Sequence, residues 1–265
     1  MIKKNIAVLS TSLLLLSGCG SVPITGRQQL LLVSDSEVLS SSLTQYDSFI
    51  KSSEKSTSVS QTNMVKRVGK RIAQATERYL RENGLEREIA NFRWEFNLVK
   101  DKQVNAFCMP GGKIVVYEGL MKLAKTDSEL AVVLGHEVAH AVAKHSNERM
   151  SQQLAAQYGA KIISSGLANK SQSIQKLATN VYGLGAQYGL MLPFSRRHES
   201  EADYMGLVFM TMAGYDPVVA INFWKKMSSN SNGQIPEFMS THPSDATRIN
   251  AIYKALPEIK KKYQR

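Results

Sequence analysis

The chain has 265 residues, 43% of them hydrophobic, and a formal charge of +11. That length carries one compact domain with a real core, and the composition is that of an ordinary globular protein. Two cysteines cannot build a disulfide framework, and the basic excess favours anionic surfaces or acidic partners while saying nothing about fold.

The first residues, Met1-Ile2-Lys3-Lys4-Asn5, precede an apolar run from Ile6 to Leu16 and the small residues Ser17 and Gly18, which together predict a secretory signal. The apolar run is too short to span a bilayer comfortably. Leu16-Ser17-Gly18-Cys19 resembles a bacterial lipobox, in which the cysteine is lipidated and becomes the new N-terminus; a conventional signal peptide cut elsewhere is the alternative. Gly20 follows the cysteine, and the absence of an aspartate there, by resemblance to bacterial lipoproteins, implies the outer membrane and a lipid anchor on its periplasmic face. Loss of Lys3 and Lys4 on processing leaves a charge of about +9, and nucleic acid is a poor partner for an exported chain. With Cys19 acylated, Cys108 has no partner within the chain and reads as a small buried residue.

Gln28 to Val33 predicts a short extended segment. Ser34-Asp35-Ser36-Glu37 has capping-box spacing, and Leu39, Leu43, Tyr46 and Ile50 follow at helical intervals. The serine-rich stretch 52–60 reads as a solvated connector. Val65, Val68, Ile72, Ala75 and Tyr79 then mark a longer helix that Asn83-Gly84 stops. Phe92 to Leu98 alternates with period two and Lys113 to Tyr117 is β-branched and aromatic, so both predict strands. Between them Asn105-Ala106-Phe107-Cys108-Met109-Pro110-Gly111-Gly112 ends in a turn signal and predicts a hairpin with Pro110 at an edge or turn.

Thr126-Asp127-Ser128-Glu129 repeats the capping-box spacing two turns ahead of His136-Glu137-Val138-Ala139-His140. Residues four apart share a helix face, so His136 and His140 can present two imidazoles to one zinc ion while Glu137, one step round, handles a water proton. The competing reading is a buried helix with two incidental histidines. Val132, Val133, Leu134, Val138 and Val142 weigh against it, because ionisable groups among them need partners or a metal. An edge strand beside such a site can bind extended substrate by strand addition, with Asn105 and Ala106 as candidate contacts; a plain structural hairpin fits equally well. Ser151 to Met191 is rich in small residues, and Lys161, Lys170 and Lys176 rule out a simple membrane span. Ordinary packing helices are preferred there to a helical hairpin over the site.

Further on, Glu199 and Asp203 are four apart in Ser195-Arg196-Arg197-His198-Glu199-Ser200-Glu201-Ala202-Asp203 and share a helix face. A catalytic zinc needs a third protein ligand, which Glu199 supplies, and a ligating histidine needs an acceptor for its other ring N–H, which Asp203 supplies. Glu201 is the competing carboxylate, but it points roughly opposite on the helix, so Glu199 is preferred as ligand and Glu201 is assigned a surface or salt-bridge contact. The metzincin pattern requires a glycine at position 143 and a histidine at 146, where the chain has Ala143 and Ser146; that class is excluded, and His145 and His198 read as exposed or capping. Lys260-Lys261-Lys262 reads as a solvated tail.

Taken together, His136-Glu137-Val138-Ala139-His140, Asn105-Ala106-Phe107 with Pro110-Gly111-Gly112, Ser195-Arg196 with Glu199-Ser200-Glu201-Ala202-Asp203, and Thr241-His242-Pro243-Ser244 with Arg248 resemble the M48 zinc metallopeptidases, in particular Oma1-like bacterial lipoproteins of the LoiP type. The resemblance implies an α+β, mostly helical, gluzincin-like domain with a small β-hairpin or sheet beside the H-E-x-x-H helix. It implies one zinc ion on His136, His140 and Glu199, and endoproteolysis of unfolded or damaged envelope proteins, with an envelope assembly machinery as a further partner. Residues 1–18 would then be the signal peptide, 19–58 an anchor segment and helix, and 59–265 the metallopeptidase domain. By the same resemblance His242 can approach the zinc and take the water position in a resting state; from chemistry alone it can equally be a transition-state donor or brace a loop. Arg248 is assigned either a substrate carbonyl or carboxylate, or a structural salt bridge. In the mechanism expected, zinc activates water and the scissile carbonyl, and Glu137 takes the water's proton and passes it to the leaving amine. The rival reading is a non-hydrolytic or latent chaperone-like lipoprotein, which an intact Glu137 disfavours.

Overall fold

A computed structural model of the protein describes residues 19–166, 192–229, 238, 242 and 246–264, with side chains described from residue 20, to residue 158 of the helix ending at Gly166, and from residue 196 of the helix starting at Leu192. The expected signal segment 1–18, residues 167–191, Thr241, Pro243 and Ser244 lie outside them. In chain order come β1 (Cys19–Ser21), β2 (Gln28–Leu30), α1 (Asp35–Ser52), α2 (Val59–Glu82), α3 (Glu86–Ile89), β3 (Glu95–Val99), β4 (Ala106–Met109), β5 (Lys113–Tyr117), α4 (Glu118–Met121), α5 (Asp127–Val142), α6 (His145–Gly166), α7 (Leu192–Met212), α8 (Val219–Ser229) and α9 (Ala246–Tyr263). The chain is mostly helical with small sheets, as the sequence leads one to expect.

Local signals set the helix ends. Ser34 and Glu37 bond reciprocally ahead of α1, and Asn83 caps α2 with Gly84 following at φ 72°. Packing gives two compact units: Met1–Val38 with Lys144–Ser195, and Leu39–Ala143 with Arg196–Arg265. In the first, β1 and β2 form an antiparallel ladder and β2 packs on α6. In the second, the sheet order is β3-β5-β4. Gly111 and Gly112 take φ 94° and 79°, the left-handed region open to glycine, and close the β4–β5 hairpin. The strand from the 92–98 alternation is not part of that hairpin. It pairs parallel to β5 because the Lys100–Asn105 connection carries the chain over to β4 before it turns back. β5 is thus central and buried throughout, and β4 lies at an edge, against α5.

Helix α5 is buried on nearly every side, from Leu130 to Ala139, and packs on α2, α8 and β4. Helix α7 also approaches it backbone to backbone, and two glycines make that approach: a Cβ on Gly135 would stand 2.7 Å from the Gly206 carbonyl oxygen, and one on Gly206 would stand 2.8 Å from the His136 nitrogen. The aromatic core of this unit includes Phe209, Phe223, Trp224 and Phe238, all fully buried. The basic run Lys260-Lys261-Lys262, expected as a solvated tail, forms the last turn of α9, where Leu256 and Ile259 bury one face and lysines favourably meet the helix C-terminus. Because α5 and α7 touch backbone to backbone, Gly206→Ala should force them apart and cost about 1–3 kcal/mol. Thermal unfolding of the variant should show a lower Tm; an unchanged Tm would mean the contact has room to spare.

Candidate active site

The capping box that starts α5 is complete: the Glu129 N–H donates to Thr126 Oγ1 (3.2 Å) and the Thr126 N–H donates to Glu129 Oε2 (3.1 Å). Two turns on, His136 and His140 project from one face, their Nε2 atoms 3.1 Å apart. Across the glycine contact α7 presents Glu199 and Asp203, both buried, on its matching face. His136 Nδ1 lies 3.1 Å from Asp203 Oδ1, so the ring donates there and turns an Nε2 lone pair inward. That lone pair meets His140 Nε2, His242 Nδ1 at 3.3 Å and Glu199 Oε2 at 3.3 Å. Glu199 Oε1 is 3.4 Å from His140 Nε2 and 3.0 Å from His242 Nδ1.

Among the described residues, His136, His140, Glu199 and His242 form the cluster able to hold a metal, with one ligand atom of each within 4.8 Å of the others. Imidazole and carboxylate are the donors a zinc-type ion takes. The ring nitrogens and carboxylate oxygens converge on one point, where a cation would take their lone pairs. Charge agrees: the carboxylates of Glu137, Glu199 and Asp203 against one guanidinium, Arg248, leave two negative charges uncompensated, matching a divalent ion. Without metal the same field acts on protons. Burial alone would pull His136 down, but Asp203 and Glu199 overcome it and push the imidazole up to about 9. Burial works to raise Glu199 as well, and its three histidine partners overcome that and hold it well below the carboxylate range.

Glu137, one residue on from His136, is buried and pushed up from its ordinary value by that burial, with His242 and His136 opposing. Its Oε2 accepts from the Cys108 backbone N–H at 3.3 Å. Its Oε1 accepts no hydrogen bond among the described residues and lies 3.5 Å from His242 Nε2. The edge strand therefore does adjoin the site. The N–H groups of Ala106 and Cys108 face away from β5, and both are taken, by Asn105 Oδ1 (2.9 Å) and by Glu137.

Several expectations are corrected. Arg248 is buried and spent: Nε and Nη2 donate to Asp203 at 2.7 and 2.8 Å, Nη1 pairs with Glu199 at 3.1 Å and donates to the His242 carbonyl at 3.2 Å. Of the two roles expected for it, these contacts are those of the salt bridge. The Ala106 side chain is 1% exposed, and half-buried Asn105 braces the strand entrance through its side-chain oxygen. His145, His198 and Glu201 are buried rather than exposed, because α7 is enclosed on more than its Glu199–Asp203 face and His145 follows a tight turn at Lys144, φ 56°. Neither histidine joins the metal-capable cluster. Cys108 is half-buried and free, with burial and the nearby Glu137 pushing its thiol up. Sequence reasoning missed the aromatic wall: Trp224 edges onto His136, and Phe238 stacks on His242 at 4.7 Å. No local pattern marks these two, since only tertiary packing brings them here.

The profile of Peptidase family M48 matches residues 61–256, and the chain belongs to that family. It is 38% identical over 172 residues to the mitochondrial metalloendopeptidase OMA1 of Schizosaccharomyces pombe, covering 64% of this chain and 49% of that protein. Against the Arabidopsis thaliana OMA1 the figures are 36% over 167 residues, 63% and 32%. Against the beta-barrel assembly-enhancing protease of Yersinia pestis they are 32% over 162 residues, 59% and 33%. The chain thus spans half or less of the length of these relatives. If Asp203 orients His136 for a metal, Asp203→Asn should weaken metal retention about 10- to 100-fold. Competition with a chromophoric chelator measures this, and unchanged retention would reduce Asp203 to a fold-stabilising partner of Arg248.

Proposed function

We propose that the protein is a zinc-dependent endopeptidase that hydrolyses unfolded or damaged proteins of the cell envelope. The observation that carries the reading is Glu137: a buried carboxylate with one unspent oxygen, aimed across the convergent set of His136, His140 and Glu199. A site that held metal only for structure would need no such base. Zinc bound there supplies Lewis acidity to a water and to the scissile carbonyl. His136 and His140, fixed from α5, and Glu199, fixed from α7, are the residues that hold it. Glu137 Oε1 takes the water's proton and returns it to the leaving amine. Asp203 keeps the His136 ring in one tautomer, and Arg248 pairs with both buried carboxylates, Asp203 and Glu199, offsetting one of their two charges.

Substrate lies along β4 in this reading. A strand added there competes for the Cys108 N–H that Glu137 now accepts, so docking would free the base. His242 stands where the water must enter, between Glu137 and Glu199. Its imidazole therefore closes the resting site and swings aside for turnover, which also gives the latent-protein reading its footing. Residues 59–265 act as the peptidase domain, 1–18 as a signal peptide and 19–58 as anchor segment and helix. Acylation at Cys19 would place the enzyme on the periplasmic face of the outer membrane. A LoiP-type role and contact with an envelope assembly machinery fit that location and the similarity to the Yersinia assembly-enhancing protease.

Glu137→Gln should keep its zinc and lose about 10²- to 10⁴-fold in casein cleavage, since only proton transfer is removed. Equal cleavage by parent and variant would sink Glu137 as base. His242→Ala should raise basal cleavage severalfold in the same assay; a fall would make His242 a transition-state donor instead.

A further inference from the structure

We propose that the β1–β2 ladder is a rigid foot that presses the start of α6 against lipid headgroups, with Leu32 and Met150 as its apolar contacts. The inference rests on acylation of Cys19 as proposed above. An acylated cysteine would ordinarily leave a protein free to drift on its tether, to a distance set by the loose residues that follow. Here there are none: Cys19 is itself paired with Leu30, Gly20 with Gln29 and Ser21 with Gln28. Val22 is 1% exposed, and its N–H donates to the Arg27 carbonyl.

The foot is bolted to α6 at three heights. Arg27 donates to both oxygens of buried Glu148, at 2.8 and 2.7 Å. The Leu32 N–H donates to Ser151 Oγ at 2.8 Å, and Asn147 Nδ2 donates to the Val33 carbonyl at 2.9 Å. Chain length then bounds the height. Leu30 faces Cys19 across about 5 Å, and Leu32 is at most ~8 Å further. Leu32 and the Ser151 turn of α6 therefore sit within about 15 Å of the acylated residue, and they meet the headgroup layer when the ladder lies along the surface. The side chains exposed there suit that layer: Leu32 at 46% and Met150 at 40%, with Arg149 exposed on the same turn of α6.

The test uses the full-length acylated chain with Cys108→Ser, carrying Leu32→Cys or Met150→Cys labelled with a polarity-sensitive fluorophore. It is reconstituted in phosphatidylethanolamine–phosphatidylglycerol vesicles with or without a headgroup-level nitroxide lipid. The expected result is about a twofold or larger loss of emission from both labels when the nitroxide lipid is present. Unquenched labels on a chain whose Cys19 acyl group is verified by mass overturn the proposal and leave the anchor reading intact. Labels that are blue-shifted yet unquenched overturn it too, since protein rather than lipid then covers the face. An N-terminal peptide without the acyl group overturns the anchor reading, and the foot with it.

Discussion

The site depends on one buried guanidinium. Arg248 contacts Asp203 twice, Glu199 once and the His242 carbonyl once, and its own plane lies 5.1 Å from the Trp224 ring centre. Two carboxylates packed this close in an apolar interior would not both stay ionised without it. Removing one member of such a buried network costs about 3–5 kcal/mol, because a charge is left without a partner. Arginine suits the position better than lysine, since its fork of donors fits two carboxylates and a carbonyl at fixed angles. The residues able to hold a metal are thus only as well placed as α9 is, from which Arg248 projects.

A second constraint is the contact at Gly135 and Gly206. Side chains on facing helices normally hold the axes about 8–10 Å apart. With backbone against backbone, short acidic side chains on α7 reach imidazoles on α5 that they otherwise would not. Glu199 and Asp203 lie seven and three residues ahead of Gly206, all on the α7 face toward α5. Fold and chemistry therefore share one spacing along α7, with glycine setting the approach and carboxylates using it.

Much of this was legible in the sequence. Capping boxes at Ser34 and Thr126, the glycine turn at 111–112, and the i, i+4 pairs His136/His140 and Glu199/Asp203 are local, and local rules read them. What escaped was set by tertiary packing. Nothing near Arg248 tells that two carboxylates 45 and 49 residues away will absorb it. Similarly, His145, His198 and Glu201 look like surface residues because sequence shows one polar face of a helix and not that the helix is enclosed. The parallel pairing of β3 with β5 was hidden for a related reason: alternation predicts a strand, but which neighbour it takes depends on where the connection runs.

If His242 closes the resting site as proposed, its contacts allow it to clear the site with its backbone in place. Its backbone is held at both ends, the N–H donating to the Phe238 carbonyl at 2.8 Å and its own carbonyl accepting from Arg248. Phe238 in turn donates its N–H to the Val104 carbonyl, just ahead of the edge strand. Moving the backbone would break all of these and disturb the guanidinium. The imidazole is held by less: one stacked face on Phe238, a 3.5 Å approach to Glu137 Oε1, and contacts with groups that a metal would claim. Rotation about the side-chain bonds exchanges one staggered rotamer for another and leaves the backbone bonds in place. Opening by side-chain rotation would therefore keep β4, Phe238 and Arg248 in register, so the site that opened would already be assembled.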